Sequence, residues 1–401
     1  MTERDASSDA QPRPARRFRL ILAGVFFGTV AALVLAEIGL RLFGWRPGVN
    51  IIYGENYRLS SNPVLKYELV PNAPDWGMRI NSAGMRDREF SKPKPPGVFR
   101  IAALGDSVTY GFGYKQTQAY PKQLEKMLNE QFGDRMRFEV MNLGVVGYNI
   151  EQIVEAARVK ALPFQPDLLL YGYVLNDPLT FSVELEALRR MQAEAERTWR
   201  ETFSRGLMRM LSHSRLFLLG YQLTLRPPTP PGENETDPVV DAFFRRGHTD
   251  YIRRIHHEPK TWGRVTGGLR RLAEVARTGD AKTLVVVFPP SFIETEPEYS
   301  LRDVHERIME EAQRNGLSAG DLAPVFVQAR RAWRYTLFRD LLHPDAVGHR
   351  VAAMGIVRIL LDRHLLPVGD VRFDDLHWSD PFEEHLARFL RRGTETDPQP
   401  P

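Results

Sequence analysis

Short apolar segments alternate with amphipathic segments through the middle of the chain, and this alternation constrains the fold more than any other feature. The apolar segments have the length of strands and lie at Val98–Leu104, Arg137–Leu143, Leu168–Val174 and Lys282–Phe288. Helical periodicity follows at Tyr120–Phe132, Asn149–Leu162 and Ala346–Arg363. Strands that are apolar on both faces are typical of a parallel sheet with helices on each side. The pattern therefore predicts an α/β domain, and it does not decide whether a further short strand lies near Leu322–Val327.

Small or polar residues follow three of these strands directly, at Gly105–Ser107, Gly144–Gly147 and Asn176–Asp177. Because the carboxyl ends of parallel strands share one edge of a sheet, we expect these residues to converge. Asp340 lies three residues before His343, just ahead of the last predicted helix. In one turn, the carboxylate can hold the imidazole Nδ1–H, which leaves Nε2 to accept a proton from a hydroxyl. Each segment alone is commonly structural, for instance as a helix N-cap, but their joint occurrence in this order indicates a reactive site.

A basic segment and then an apolar one open the chain. Four arginines within Arg13–Arg19 precede Leu20–Ala36, which carries no charge. The apolar length suits a membrane span, and the basic flank favours a cytoplasmic N-terminus. A signal peptide cleaved after Val34–Ala36 is the alternative, although the apolar stretch exceeds the usual signal core. We predict a cytoplasmic basic tail over residues 1–19, a transmembrane signal-anchor over residues 20–44, and a globular domain in the periplasm or outside the cell.

The remaining chain is predicted to divide into a lead-in, the α/β domain with an insert, and a tail. The lead-in, residues 45–97, is rich in loop-forming residues and is expected to lie over the domain surface. The α/β domain covers residues 98–365 and contains a partly charged, helical insert at 178–260. With its apolar stretch Leu216–Leu225, the insert suits a cap over the site, a peripheral elaboration or a contact with the membrane surface. The tail, residues 366–401, ends in a polar, proline-rich stretch that we expect to be disordered.

Composition narrows the chemistry. The chain has no cysteine, which excludes a thiol nucleophile, disulfides and thiolate metal sites. Basic and acidic residues nearly balance, at 54 and 50, so the charge gives no reason to expect a nucleic-acid partner. The glycines of Gly111–Gly113 lack the strand-then-glycine context of a dinucleotide-binding loop. His256 and His257 are adjacent, so their side chains point apart, and we expect no metal there. We therefore predict neither a cofactor nor a metal.

Together, four segments resemble the motif blocks of the SGNH hydrolase family, within the GDSL esterase/lipase group. The matching residues are Gly105–Val108, Asn142–Tyr148 with Gly147 as the block's glycine, Asn176–Asp177 and Asp340–His343. The resemblance extends over about residues 79–363, apart from most of the insert. This chain has Val174 where the third block usually has glycine, and Val108 where the group's name implies leucine.

The resemblance implies a three-layer, flavodoxin-like fold and a serine mechanism without a cofactor. Ser107 would be the nucleophile, His343 its base, and Asp340 the acid that orients the imidazole. The backbone N–H groups of Ser107 and Gly147 and the side-chain amide of Asn176 would form the oxyanion hole. These residues match the chemistry, because a serine hydroxyl needs a neighbouring base and its tetrahedral intermediate needs preorganised donors.

The predicted function is a membrane-anchored, extracytoplasmic serine esterase that hydrolyses carboxylic esters, chiefly acetyl esters, on a cell-surface polysaccharide. An O-acyltransferase that uses the same three residues is an open alternative, as is a lipase for longer acyl chains. A non-catalytic polysaccharide-binding or assembly protein is a third class, against which the intact serine and histidine argue. We expect structural roles for Asp106 and Asp177 and a packed or surface position for His349.

Overall fold

The structure, a computed structural model, describes most of the predicted domain. The described residues are 14–43, 56–75, 78–180, 182, 185, 188, 211, 214–224, 248–294, 299–332 and 336–392. The first part of the predicted cytoplasmic tail, most of the predicted insert and the polar end of the C-terminal tail lie outside the described residues. The chain divides into two compact units, one of Met1–Ile52 with Glu194–Asn234 and one of Tyr53–Ala193 with Glu235–Pro401.

The larger unit is built around a parallel five-stranded sheet. The strands of the described chain are β1 (Tyr57–Leu59), β2 (Tyr67–Leu69), β3 (Pro74–Asp75), β4 (Met78–Arg79), β5 (Val98–Gly105), β6 (Arg137–Asn142), β7 (Leu168–Tyr173), β8 (Lys282–Val287) and β9 (Ser318–Asp321). The first four form two small antiparallel hairpins, and the last five form the central sheet in the order β6-β5-β7-β8-β9. All neighbours in the central sheet are parallel, with Ile101 of β5 opposite Val140 on one side and Leu168 on the other. This strand order is the flavodoxin-like one, which confirms the predicted α/β sheet.

Helices cover both faces of this sheet, because its strands are apolar on both sides. The α-helices of the described chain are α1 (Pro14–Leu42), α2 (Ser107–Tyr110), α3 (Tyr120–Phe132), α4 (Ile150–Ala156), α5 (Arg215–Thr224), α6 (His248–His257), α7 (Pro259–Thr278), α8 (Arg302–Arg314), α9 (Ala323–Ala332), α10 (Ala346–Asp362) and α11 (Pro381–Arg392). Alternate residues of β5 enter two separate cores: Ala102 and Leu104 pack with α4, α7 and α8, and Ile101 and Ala103 pack with α3, α9, α10 and α11. The result is three layers.

The fifth strand lies earlier than the segment considered from the sequence. It is Ser318–Asp321, whereas most of Leu322–Val327 belongs to α9. The strand is short, and three of its four residues are small, so it lacks the large apolar residues that the other strands of the sheet contain. Packing favours glycine at position 320, because a Cβ there would lie 2.7 Å from the side chain of Ile359.

The lead-in contributes to the core, and our expectation that it lies over the surface is wrong for its central part. Leu65, Tyr67, Leu69 and Ile80 are almost completely buried. The Tyr67 hydroxyl donates to the carbonyl of Val146 at 2.7 Å, in the loop after β6. The hairpins therefore pack against the loops at the carboxyl edge of the sheet. The C-terminal tail is also partly structured, since α11 buries apolar side chains in one core.

The smaller unit pairs the apolar N-terminal helix with α5 from the insert. The segment Arg19–Leu42 is long and apolar enough to cross a membrane, a property that anchors and signal sequences share. The carboxylate of Glu37 accepts hydrogen bonds from the backbone N–H groups of Arg215 and Leu216 at 3.0 and 2.8 Å. In return, the Arg215 guanidinium donates to the carbonyl of Leu40 at 3.0 Å. Each helix thus supplies a side chain that satisfies the free end of the other.

Candidate active site

The serine lies on a short helix at the carboxyl end of the central strand β5. Asp106 is the N-cap of α2, and its carboxylate accepts from the backbone N–H of Val108 at 2.9 Å. Ser107 is the first helical residue and is 6% exposed. Gly111 ends the helix with φ of 80°, and a Cβ there would lie 2.5 Å from the Cβ of Ala119. Glycine is therefore required by both conformation and space.

The acid and the histidine share one closed turn. Phe338 and Pro344 form an isolated bridge across it. Asp340 Oδ1 accepts from the backbone N–H groups of Leu342 and His343 at 3.1 and 3.0 Å. The imidazole Nδ1 lies 2.8 and 2.9 Å from the two carboxylate oxygens of Asp340. The spacing noted in the sequence therefore produces direct contact, because the turn is held at both ends.

This turn brings the imidazole to the serine. His343 Nε2 lies 2.8 Å from Ser107 Oγ, across 236 residues of sequence. The two residues with Asp340 form one continuous hydrogen-bonded chain. A neutral imidazole that donates from Nδ1 to Asp340 keeps Nε2 as an acceptor for the serine hydroxyl. The arrangement can therefore pass a proton from the hydroxyl to the imidazole.

The carboxyl of Asp340 is suited to the charged form. Partial burial opposes its ionisation, but the imidazole and the backbone N–H groups of His343 and Leu342 outweigh burial and lower the pKa of Asp340 to about 2. The side chain is 45% exposed, so water supports the charge as well. At neutral pH Asp340 is therefore a carboxylate, which favours the Nδ1–H tautomer of the imidazole and leaves Nε2 as the acceptor.

The two other predicted strand ends lie next to this serine. In the loop after β6, the backbone N–H of Val145 donates to the carbonyl of Gly105 at 3.2 Å. Gly147 in that loop has φ of 75°, a conformation that favours glycine. After β7, the Asn176 amide lies 3.5 Å from Asp106, whose same carboxylate oxygen is 3.2 Å from Ser107 Oγ. The sheet thus gathers all three strand ends, as the topology predicts.

Two buried acids lie close to the turn at Gly105–Ser107, which we call the serine turn. Asp106 is 1% exposed, and burial raises its pKa although Val108 N–H and the His343 charge act in the opposite direction. Asp177 is completely buried, and burial together with the charge of Asp106 raises its pKa well above the ordinary value. The Tyr171 hydroxyl donates to Asp177 at 2.7 Å. Both acids bind loop groups, which agrees with the structural roles expected for them.

Val174, which replaces the glycine usual in the third block, points into the core. Its side chain is 2% exposed and packs in the cluster that contains Val108. Its backbone does not enter the left-handed region that favours glycine. Its N–H donates to Asp177 at 3.0 Å, and its carbonyl accepts from the backbone of the same residue at 2.9 Å. The loop that carries Asn176 is therefore closed with valine in place.

The structure also adds residues to the site that the sequence did not indicate. The ring of Phe112 lies 5.2 Å from the His343 ring, and the Arg339 guanidinium lies 5.6 Å from the ring of Phe112. The only signal for Phe112 is its position between two glycines. His349, by contrast, is a core residue, and His256 has protein partners on both ring nitrogens, the Tyr173 hydroxyl and a backbone carbonyl.

The chain is similar, at low identity, to several solved structures of hydrolases and esterases. It is 16% identical to an α/β hydrolase enzyme from the metagenome of Lake Arreo, Spain, with 65% of this chain and 94% of that chain covered and a TM-score of 0.38. It is 13% identical to the acetyl xylan esterase AlAXEase, with 65% and 98% covered and a TM-score of 0.37. For a catalytic mutant of the acetylxylan esterase Axe2 from Geobacillus stearothermophilus, the identity is 15%, the coverage 65% and 94%, and the TM-score 0.38. Similarities this low carry no argument about the substrate.

The family comparison is more informative. No curated protein matches the chain significantly. The GDSL-like Lipase/Acylhydrolase family matches residues 103–351, which is more than half of the chain. The matched range contains the serine turn, both neighbouring strand ends and the acid–histidine turn. The protein therefore belongs to the GDSL-like Lipase/Acylhydrolase family, and it is a carboxylic ester hydrolase.

Proposed function

We propose that the protein is a membrane-anchored serine esterase that removes acetyl groups from a cell-surface polysaccharide in the periplasm or outside the cell. Ser107, His343 and Asp340 are its triad. The observation that carries this proposal is the 2.8 Å contact between His343 Nε2 and Ser107 Oγ, with Asp340 on the other ring nitrogen. A hydroxyl, a base and an acid in this order supply the nucleophile, the general base and the orienting group of nucleophilic acyl transfer.

The proposed reaction begins with proton transfer. Ser107 Oγ attacks the ester carbonyl while its proton passes to His343 Nε2. The imidazolium then protonates the leaving alcohol, and water hydrolyses the acyl-enzyme through the same histidine. Asp340 stabilises the imidazolium, because its lowered pKa keeps it ionised throughout.

The oxyanion that forms in each step needs donors that are already in position. We assign this role to the backbone N–H groups of Ser107 and Gly147 and to the Asn176 amide. The left-handed conformation of Gly147 supports the assignment, since a residue without Cβ lets the substrate approach the backbone. Asn176 Nδ2 donates to Asp106 Oδ2 only through a long contact of 3.5 Å, and an amide nitrogen carries two N–H donors, so one remains for the oxyanion.

The anchor and the polysaccharide substrate rest on the N-terminal segment. The exposed apolar helix follows a run of arginines, which favours an N-terminus in the cytoplasm and a catalytic domain on the opposite side. An anchored esterase outside the cytoplasm meets acylated glycans of the cell surface. The polysaccharide is therefore proposed because of the expected location of the catalytic domain. Whether the acyl group is acetyl is tested by the following experiment.

The test compares the full chain in detergent with its Ser107→Ala variant. Acetate release is measured from p-nitrophenyl acetate and from an acetylated polysaccharide, with and without an added acceptor sugar. We expect serine-dependent release without the acceptor. Release only with the acceptor, with acetyl groups appearing on that sugar, would establish an O-acyltransferase instead. If neither substrate is turned over, the acetyl-esterase proposal is wrong, and a longer acyl ester is the next substrate to examine.

A further inference from the structure

Two charged residues of the lead-in are buried against the serine helix. Arg86 and Asp75 have side chains that are each 2% exposed, and Arg86 Nε donates to Asp75 Oδ2 at 2.5 Å. Both residues precede the segment that matches the family, which begins at residue 103. A buried guanidinium is stabilised only where its donors find acceptors, so the position of those acceptors shows what Arg86 holds.

The acceptors of Arg86 lie in the segment that ends the serine helix. Its Nη1 donates to the carbonyl of Tyr110 at 2.8 Å, and its Nη2 donates to the carbonyl of Tyr114 at 2.7 Å. Its guanidinium carbon also lies 4.5 Å from the centre of the Tyr110 ring. Tyr110 is the last residue of α2, and Ser107 is the first. Arg86 thus holds the far end of the helix that begins with the serine.

Asp75 binds both Arg86 and Tyr110, so the three side chains form a closed set of contacts. The Tyr110 hydroxyl donates to Asp75 Oδ1 at 2.7 Å, while Arg86 occupies the other carboxylate oxygen. Tyr110 is therefore held at its carbonyl, its ring and its hydroxyl. A helix of a single turn is not stable by its own hydrogen bonds, so its position depends on such tertiary contacts.

We propose that Arg86 and Asp75 are positioning residues for the nucleophile. They hold α2 so that Ser107 Oγ stays within hydrogen-bond distance of His343 Nε2. Neither residue touches the reacting atoms. The planar fork of arginine is essential to this role, since it reaches a carboxylate and two carbonyls in fixed directions that a lysine ammonium does not reproduce. The inference rests on the proposed function only in the use of Ser107 as nucleophile.

The chain offers a matched control in Arg100. This arginine is completely buried, donates to Glu139 at 2.6 and 2.9 Å, and donates to the carbonyls of Ser91 and Phe164. It has the same kinds of partner as Arg86, namely one carboxylate and two carbonyls. It lies near the start of β5, whereas the serine turn follows the end of that strand. Substitution of Arg100 therefore disturbs a comparable buried network away from the serine.

The experiment compares Arg86→Lys with Arg100→Lys in the full chain. The readouts are kcat and KM for p-nitrophenyl acetate, the rate at which a serine-directed fluorophosphonate labels Ser107, and the midpoint of thermal unfolding. A displacement of the reacting atoms by about 1 Å can lower a rate by about a hundredfold. We expect Arg86→Lys to lower kcat and the labelling rate by about ten- to a hundredfold with KM unchanged. Arg100→Lys should lower only the unfolding midpoint.

Equal losses of kcat in the two variants, or an unchanged kcat in Arg86→Lys, would overturn the proposal. If Arg86→Lys does not fold, Tyr110→Phe takes its place, because it removes only the hydroxyl that binds Asp75. That variant should lower the labelling rate, and an unchanged rate would contradict the proposal. Labelling without ester turnover in the wild type would refute the proposed acetyl-esterase function while the positioning role remains measurable. If the wild type is not labelled at Ser107 at all, both proposals are wrong.

Discussion

Asp340 and Asp106 both lie beside the Ser107–His343 contact, yet their surroundings favour opposite charge states. Asp340 is half-exposed and accepts from an imidazole and two backbone N–H groups, so its pKa is lowered to about 2. Asp106 is buried with the serine turn, and burial raises its pKa. One aspartate, Asp340, thus serves as the charged partner of the imidazole, whereas the other, Asp106, serves as a helix cap.

The lowered pKa of Asp340 and the raised pKa of Asp106 also make the stability of the fold depend on pH in opposite directions. Because the folded pKa of Asp340 lies below the unfolded one, its ionised form stabilises the protein above about pH 4, and this contribution is lost as the pH falls towards 2. For Asp106 and Asp177 the folded pKa lies above the unfolded one. Their contribution therefore becomes less favourable as the pH rises from about 4. The pKa values of the three acids shift in different directions because their solvent exposure and their hydrogen-bond donors differ.

The largest expected effect comes from Asp340→Asn. The amide cannot stabilise an imidazolium and permits the wrong tautomer, so kcat should fall by about 10⁴-fold in a p-nitrophenyl acetate assay. The matched control is Asp106→Asn, in which asparagine still caps the helix. We expect kcat of the control to fall by much less. A similar loss of kcat in both variants would remove the distinction between the two acids.

A smaller loss of kcat is expected from Asn176→Ala, which removes the side-chain amide next to Asp106. Removal of one oxyanion donor lowers kcat by about 10²–10³-fold. Because the donor acts on the oxyanion of the transition state, KM should change little. The two parameters are measured from saturation kinetics with the same ester. A raised KM with unchanged kcat would assign Asn176 to substrate binding and would exclude it from the oxyanion hole.

The smallest effect is expected from Asp177→Asn and concerns stability. The asparagine oxygen can still accept from Tyr171, but the side chain no longer ionises. Wild-type stability includes a penalty that grows as the pH rises above about 4, and the variant lacks it. The stability of the variant relative to the wild type should therefore increase from pH 4 to pH 7. Urea unfolding at the two pH values measures this change, and an opposite trend would mean that Asp177 is ionised without penalty.

Much of this arrangement could be predicted from the sequence because it depends on local patterns. The four long strands are recognisable since each is a short, mostly apolar segment followed by small or polar residues or by proline. Asp340 and His343 are close enough in sequence for one turn to join them. The weakest strand, β9, could not be recognised. Its glycine, Gly320, is explained by the approach of Ile359, which lies far along the chain.

The lead-in shows the limit of such reasoning. Its loop-forming composition suggested a surface segment, whereas Arg86 and Asp75 are buried against Tyr110. No local pattern relates these three residues, because their contact is made through the packing of two hairpins on the sheet edge. The same holds for Phe112, which meets the His343 ring only after the chain has folded.

The sequence by itself determined the parallel sheet, the convergence of three strand ends and the residue types available for an ester hydrolase. These follow from apolar periodicity and from the rule that parallel strands end at one edge. Only the tertiary structure decided which acids have a lowered pKa and which a raised one, how the serine helix is held and where Val174 points. Those properties depend on burial and on contacts between residues distant in sequence, and both arise only when the layers pack together.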